Sequence, residues 1–388
     1  MHFLTVPAQI KLSSKALFAE EGQNVTIACT ATGQLQPSIT WSKAFGNLPK
    51  DKTKVLSGNL TIYNVTKKDR GTYICKAKNL LKSATDSAQL TVVSRLRFKV
   101  RPPQEVTPVI GLTVRLLCVA ESDLRPTITW LKNNKPSLPV DSDVLLNGTL
   151  VFQNIKKSHE GIYTCRATNA LTTIEAKVRI NSPVIATSCS IIRKHVRVGR
   201  VSGNYVVDPD GEGGQAPFTV FCDMIDKNGV GVTVVSHDSE NRTLVYGSGG
   251  RPGSYSRDIH YIGASLSQLA SLTRVSSHCE QFIKYECHNS PLLRNNNLMG
   301  WWVSRDSIRM TYWGGASVSG KCACGMTNSC ANPRYGCNCD ANDNVWREDS
   351  GLLTDKSHLP VRQLRFGDTG GIEKGYHTLG KLKCYGTA

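Results

Sequence analysis

The segment KCACGMTNSCANPRYGCNCDANDNVWRED (321–349) places five cysteines, Cys322, Cys324, Cys330, Cys337 and Cys339, within eighteen residues. Thiolates at this density could hold zinc, and the acidic and amide side chains that follow could hold calcium. The same cysteines could instead close disulfides. Zinc sites usually leave two or more residues between paired cysteines so that both sulfurs reach one tetrahedral ion. Here Cys322/Cys324 and Cys337/Cys339 are each separated by one residue. The tail begins like a calcium loop, with Asp340, Asn342 and Asn344 at the first, third and fifth positions, but Val345 stands where the turn needs Gly and Gly351 where the bidentate Glu belongs. The reading is therefore disulfides and no metal, with calcium assisted by Asp340 and Asp343, or zinc, as the alternatives. A single intervening residue strains a direct bridge, so each pair is expected to send its two sulfurs to different partners.

The rest of the chain sets the redox compartment. It has 388 residues and fourteen cysteines, an even number, with Asn-x-Ser/Thr sequons at Asn24, Asn59, Asn64, Asn147 and Asn241. Both features belong to a secreted or extracellular glycoprotein. No run approaches ~20 apolar residues, so no membrane span is expected. The opening MHFLTVPAQIKLSS lacks the charged region and apolar core of a secretory leader, so the sequence is expected to be truncated at its N-terminus. The net charge is +17, with basic residues in excess by 7, 6 and 4 over residues 1–94, 95–182 and 183–388. A field of that sign draws polyanions.

A repeat organises the first half. GNLTIYNVTKKDRGTYICKAKN (58–79) and GTLVFQNIKKSHEGIYTCRATN (148–169) share Gly, Leu, Asn, Gly, Tyr, Cys and Asn ninety residues apart, and Cys29 and Trp41 recur as Cys118 and Trp130. A repeat of that length is a whole domain. Each copy alternates apolar and polar residues as half-buried strands do, with Tyr two residues before the second Cys. A thin two-sheet sandwich needs such a staple: an inter-sheet disulfide packed on Trp, and a Tyr bonded back at the corner. The copies resemble immunoglobulin I-set domains, over 5–94 and 95–182, which implies the bridges Cys29–Cys75 and Cys118–Cys165. The family's D-x-G-x-Y-x-C stands intact at Asp69, Gly71, Tyr73 and Cys75. His159 replaces the Asp in the second copy, where it reads as a surface substitution and puts the usual ion pair of that corner in question.

Beyond the Pro-containing linker INSPVIATSC (180–189) the repeat stops. SGNYVVDPDGEGGQAPFTVFCDM (202–224) reads as strand, turn and strand, and is similar to the opening of a fibrinogen-like domain. CEQFIKYECHNSPLL (279–293), WWVSRDSIRMTYWGG (301–315), VWREDSGLLTDKSHLPV (345–361) and GYHTLGKLKCYG (375–386) resemble the fibrinogen-like segment of contactin-associated proteins of the neurexin IV type. A more distant echo is the C-propeptide of fibrillar collagens, but no Gly-x-y repeat is present. The resemblance implies Cys189–Cys222, and implies a domain over 183–388. Val232 stands in place of the Trp of animal fibrinogen-like lectins and no matching calcium loop precedes the cluster, so neither sugar nor calcium site carries over. The fold expected is mostly β: two tandem immunoglobulin sandwiches plus a disulfide-rich mixed α+β fibrinogen-like C-terminal domain.

No enzyme signature survives. The run YGSGGRPGS (246–254) lacks G-x-G-x-x-G spacing, GGASVSG lacks the second Gly of a nucleophile elbow, and H-E-x-x-H does not occur. His278, Cys279 and Glu280 read as part of a disulfide-bearing helix or loop. No cofactor is implied. In SRLRFKVRPP (94–103), Arg95, Arg97, Lys99 and Arg101 alternate with apolar residues, which on a strand puts four cations on one face, ~6.8 Å apart. The run serves either as a charged edge that prevents sheet-to-sheet aggregation or as a docking rail for sulfated glycans of the heparan sulfate kind. IIRKHVRVGR (191–200) would extend it through Arg193, Lys194, Arg197 and Arg200. Cations without interleaved stacking aromatics argue against nucleic acid. The function expected is non-catalytic: an extracellular adhesion or matrix glycoprotein binding cell-surface or matrix proteins and sulfated glycans. Its rivals are a soluble fibrinogen-related recognition lectin and the non-catalytic fragment of a peroxidasin-like matrix protein.

Overall fold

A computed structural model describes residues 6–196, 201–246, 250–294 and 297–388. The chain divides into two compact units, one of residues up to Thr107 with Gly111–Pro183, the other of Pro108–Ile110 with Val184–Ala388.

The first unit contains two β-sandwiches. In the first sandwich Ala16–Glu20, Ser83–Val93, Gly71–Lys78 and Ser38–Lys43 form one sheet, faced by Val25–Ile27, Asn59–Ile62 and Thr53–Leu56. The period of two in Gly71–Lys78 sends Tyr73, Cys75 and Ala77 inward. Tyr73 and Cys75 meet Ile27, Trp41, Leu60, Ile62 and Leu90 in one core. The second sandwich repeats this with Glu105–Val106, Thr173–Ile180, Gly161–Thr168 and Thr127–Lys132 against Val114–Leu116, Leu150–Phe152 and Ser142–Val144. Its core is Leu116, Trp130, Phe152, Tyr163 and Val178 around the Cys118 and Cys165 sulfurs. The indole Nε1–H groups of Trp41 and Trp130 donate to the carbonyls of Gly58 and Gly148, each at 2.9 Å. Both glycines sit at positive φ (86° and 83°), and a Cβ on either would come within 2.8 Å of the first bridging cysteine's carbonyl oxygen. That close approach admits only glycine.

The second unit is built on a seven-stranded sheet in the order Gly203–Val207, Phe218–Asp223, Val232–Val235, Lys374–Tyr385, His278–His288 and Arg347–Leu353, with Thr243–Val245 also paired to Lys374–Tyr385. Gly203–Val207 and Phe218–Asp223 pair antiparallel across the Asp-Pro-Asp-Gly turn. A second sheet of four strands orders Tyr255–Asp258, Gln363–Phe366, Trp301–Val303 and Arg309–Met310. Strict alternation in it sends Trp302, Leu364, Phe366 and Met310 into the core. The helix Leu266–Val275 starts at Ser265, whose Oγ accepts from the Gln268 amide while Gln268 Oε1 accepts from that of Ser265. This capping box satisfies two of the helix's unpaired donors.

Three expectations need correcting. His278, Cys279 and Glu280 begin a central strand, not a helix or loop. The cations of 191–200 do not prolong an extended rail: Arg193 and Lys194 lie on the helix Cys189–His195, and Arg197 and Arg200 fall outside the described residues. His159 is no surface substitution. It is 1% exposed and packed on Phe152. Part of the run 246–254, residues 247–249, also lies outside the described residues. No helix among the described residues is long and apolar enough to cross a membrane.

Candidate functional site

Seven disulfides account for all fourteen cysteines, and no thiol is free. In the first unit they join Cys29 to Cys75 and Cys118 to Cys165, with Cα separations of 6.7 and 6.6 Å. In the second unit Cys189 joins Cys222, and Cys279 on one strand joins Cys384 on its neighbour. The cluster resolves into Cys322–Cys337, Cys324–Cys330 and Cys287–Cys339. Thus Cys322 and Cys324 part company, as do Cys337 and Cys339. The sulfurs of Cys322 and Cys337 and an oxygen of Asp349 lie within 4.8 Å of one another, but sulfurs bonded to each other are not thiolate ligands.

The acidic tail turns inward to hold backbone. Asp349 accepts from the amides of Asn338 (2.9 Å) and Cys339 (2.8 Å), and Asp340 Oδ1 accepts from those of Leu292 (3.0 Å) and Leu293 (2.8 Å). Burial pushes Asp340 up to about 6 against the pull of the Leu293 and Leu292 amides. Burial lifts Asp349 to about 6 as well, against the amides of Cys339 and Asn338 and with help from Asp340. Asp343 is taken by Arg347 in a two-pronged pair of 2.8 and 2.5 Å, which holds it below the usual carboxylate range. Asp349 and one oxygen of Asp340 thus hold backbone and Asp343 holds Arg347, while Asp340 Oδ2 and Asn342 Oδ1 are buried without a hydrogen-bond partner.

The basic stretch is the first strand of the second sandwich. Arg97–Val100 pairs antiparallel with Val119–Glu121 alone, which makes it an edge. Its start is pinned by Ser94, whose amide donates to Asp123 (2.9 Å), and by Lys67, which pairs with Asp123 at 2.7 Å. Leu96 is buried and Phe98 packs on the core, while Arg95, Arg97, Lys99 and Arg101 are exposed. Two details depart from the even rail of the sequence. A bulge between Phe98 and Val100 breaks the two-residue period, so Val100 turns outward. Arg97 faces Glu121 across the ladder and pairs with it at 2.8 Å, which neutralises one of the four cations. Arg101 lies over the Phe98 ring at 5.1 Å. Neither Arg95, Lys99 nor Arg101 has a carboxylate partner among the described residues.

Asn24, Asn64, Asn147 and Asn241 are exposed at turns and strand ends, and Asn59 is half-buried. Sequence reasoning missed a second cationic surface, on the outer face of the four-stranded sheet. There the chain brings Arg362 onto Ser307, fifty-five residues away, so no local run could have announced it.

Residues 8–92 match the immunoglobulin I-set domain and residues 98–169 an immunoglobulin domain. Contactin-associated protein 1 of Rattus norvegicus is 40% identical over 216 residues, covering 54% of this chain and 15% of that protein. Neurexin-4 of Drosophila melanogaster is 38% identical over 216 residues, covering 53% of this chain and 16% of that protein. The chain thus matches only a small part of these relatives. Extracellular domains 3–5 of Drosophila OTK are 29% identical, covering 44% of this chain and 61% of that one, with a TM-score of 0.38. The chain carries two immunoglobulin domains together with a segment similar to the contactin-associated proteins.

Proposed function

We propose that this chain is the binding portion of an extracellular adhesion or matrix glycoprotein, with domain boundaries near residues 94 and 182 and a fibrinogen-like third domain. The observation that carries the reading is the pair of immunoglobulin domains on a chain whose cysteines are all bridged. Such sandwiches present exposed edges and loops for protein contacts, and seven disulfides persist only in an oxidising compartment. Its partners are other cell-surface or matrix proteins, and it is secreted or displayed at the cell surface with glycans on Asn24, Asn59, Asn64, Asn147 and Asn241. The edge Arg95–Arg101 adds contact with sulfated glycans through Arg95, Lys99 and Arg101, with Arg97 held back by Glu121.

The test is binding of the full chain to cultured cells. Trypsin treatment of the cells should abolish most binding, and heparinase should remove a smaller share. Changing Arg95, Arg97, Lys99 and Arg101 together to Ser should erase the heparinase-sensitive share. A control with Lys50, Lys54, Lys76 and Lys82 changed to Ser removes equal charge at exposed positions of the first sandwich. Binding indifferent to trypsin would sink the adhesion reading. A control as damaging as the edge variant would reduce the edge to bulk charge.

A further inference from the structure

The outer face of the four-stranded sheet is cationic in an unusual way. Antiparallel register sets Arg365 opposite Trp301, and Gln363 opposite both Val303 and Asp258. Side chains of one parity form the core, so these all face outward. They line a cavity of about 750 Å³ together with Arg309 and Arg362, a volume suited to a ligand of one or two sugar rings.

Each of the three guanidiniums is positioned by a neutral group. Arg309 lies over the Trp301 ring at 3.7 Å. Arg362 donates to Ser307 Oγ at 2.5 Å. Arg365 donates to Gln363 Oε1 at 2.6 Å and to the Gly253 carbonyl at 3.3 Å. Some other arginines of this unit are held by carboxylates, as Arg242 is by Glu286 and Arg347 by Asp343. A ring, a hydroxyl and an amide fix a guanidinium's direction without cancelling its charge. Three arginines are therefore oriented in advance and electrostatically unspent. The one carboxylate among them, Asp258, hydrogen-bonds Gln363 and no arginine.

We propose that this face binds a sulfated sugar segment of a glycan chain. Planar guanidiniums match the oxygens of a sulfate ester in two-pronged fashion. Asp258 tells the class of anion: a carboxylate inside a cationic cavity opposes an acidic peptide, which brings mainly acceptors, but it accepts hydroxyl donors from a sugar. The ligand is thus anionic and rich in hydroxyls. The site shares its ligand class with the edge strand Arg97–Val100, and so rests in part on the glycan reading of that edge, but no residue is common to the two.

The experiment is calorimetric titration of the full chain with a heparin octasaccharide at ~0.15 M salt, where counterion release keeps the comparison meaningful. Two octasaccharides should bind each chain. Changing Arg309, Arg362 and Arg365 to Ser should leave one, and changing Arg95, Arg97, Lys99 and Arg101 to Ser should leave the other. If the edge variant still binds two while the sheet variant binds one, the edge reading fails and this one stands. A sheet variant that keeps both sites within about twofold of their original affinity overturns it. Arg309→Ser alone, at an exposed position over the Trp301 ring, serves if the triple variant does not fold, and should weaken the sheet site about tenfold. Asp258→Ala should also weaken binding, whereas bulk attraction demands the opposite, so a gain in affinity overturns the sugar assignment. An octasaccharide of hyaluronan, which carries carboxylates only, should bind at least tenfold more weakly. Equal binding overturns the sulfate assignment.

Discussion

In the first immunoglobulin domain the turn before the second bridging cysteine is held by Asp69, and in the second by His159. Asp69 accepts from the amide and hydroxyl of Thr66, at 2.8 and 2.9 Å, and pairs with Lys52 at 3.2 Å. His159 takes the same role with a ring nitrogen: Nδ1 accepts from the Lys156 amide at 2.9 Å. That leaves the ring proton on Nε2, which donates to Asp141 at 2.8 Å. Lys156 closes the set by pairing with Asp141 at 2.7 Å. The acceptor at the turn is kept while its partner changes sign, from Lys52 to Asp141. What the corner requires is an acceptor for one backbone amide. The side chain across from it adapts to whatever supplies that acceptor.

The largest effect should come from what the two domains share. The bridges close loops of nearly the same length, 46 and 47 residues, so chain entropy stabilises both alike. Replacing Cys118 and Cys165 by Ala should cost about 2–5 kcal/mol, and replacing Cys29 and Cys75 a similar amount. Hydrogen exchange of the full chain, read separately over 8–92 and 98–169, measures each. Losses differing by more than about twofold would show that the corners, not the bridges, set the domains' stabilities.

A second test sets these corner carboxylates against those of the cysteine cluster. Burial raises Asp69, but the amide and hydroxyl of Thr66 and the ammonium of Lys52 outweigh it and hold it below the ordinary value. At Asp340 and Asp349 burial outweighs the amides that bond them and, at Asp340, the pull of Arg294, so both are pushed up to about 6. The signs are opposite. Asp69 lends stability above its unfolded pKa of about 4 that is lost as pH falls further. Asp340 and Asp349 contribute stability that is complete below about pH 4 and lost as pH rises through 6, up to about 3 kcal/mol each. Hydrogen exchange in the strand Arg347–Leu353 should therefore speed up between pH 4 and 7 beyond its intrinsic rise. Asp349→Asn removes the titrating group and should flatten that change, at some cost in stability, because its single oxygen serves only one of the two amides that Oδ1 and Oδ2 of Asp349 now accept from. A variant with the same pH slope as the parent would show that Asp349 is ionised throughout.

The corner itself can be rebuilt. His159→Asp keeps an acceptor for Lys156 but places a buried carboxylate beside Asp141, which should cost about 2 kcal/mol. Adding Asp141→Lys recreates the pairing of Asp69 with Lys52 and should recover most of that loss. Urea unfolding of the single and double variants measures the coupling. Simple additivity would mean that the two positions do not communicate.

The cause of this corner was only half legible in the sequence. The Cys, Trp and Tyr spacings fix the sandwiches because each acts within one domain and its residues alternate along single strands. His159 was misread because its neighbours Lys156, Lys157 and Ser158 are those of a surface turn, and its partner Asp141 lies eighteen residues upstream. The edge strand shows the same limit. Its alternation of cations and apolar residues is visible in the sequence, but the bulge and the pairing of Arg97 with Glu121 belong to the opposite strand. In the second unit the distances grow. Cys279 and Cys384 are 105 residues apart, and adjacent strands of the sheet bring them together. Even numbers of cysteines announce bridges, but only register chooses partners at that range.

The smallest effect tests whether the change of sign at the corner disturbs its frame. Tyr73 donates its hydroxyl to the Asp69 carbonyl at 2.7 Å, and Tyr163 donates to that of His159 at 3.0 Å. Burial pushes the Tyr73 phenol up to about 12 and raises Tyr163 further, with Asp69 and Asp141 adding to the respective shifts. Both therefore remain donors throughout the neutral range. Removing either hydroxyl leaves a buried carbonyl short of a partner, a loss of about 1 kcal/mol. If the corner's backbone is indifferent to the charge beside it, Tyr73→Phe and Tyr163→Phe should cost the same within about 0.5 kcal/mol. A much smaller cost at Tyr163 would mean that His159 and Asp141 hold that turn without the phenol. In that case the second domain fastens its corner through side chains where the first depends on the tyrosine.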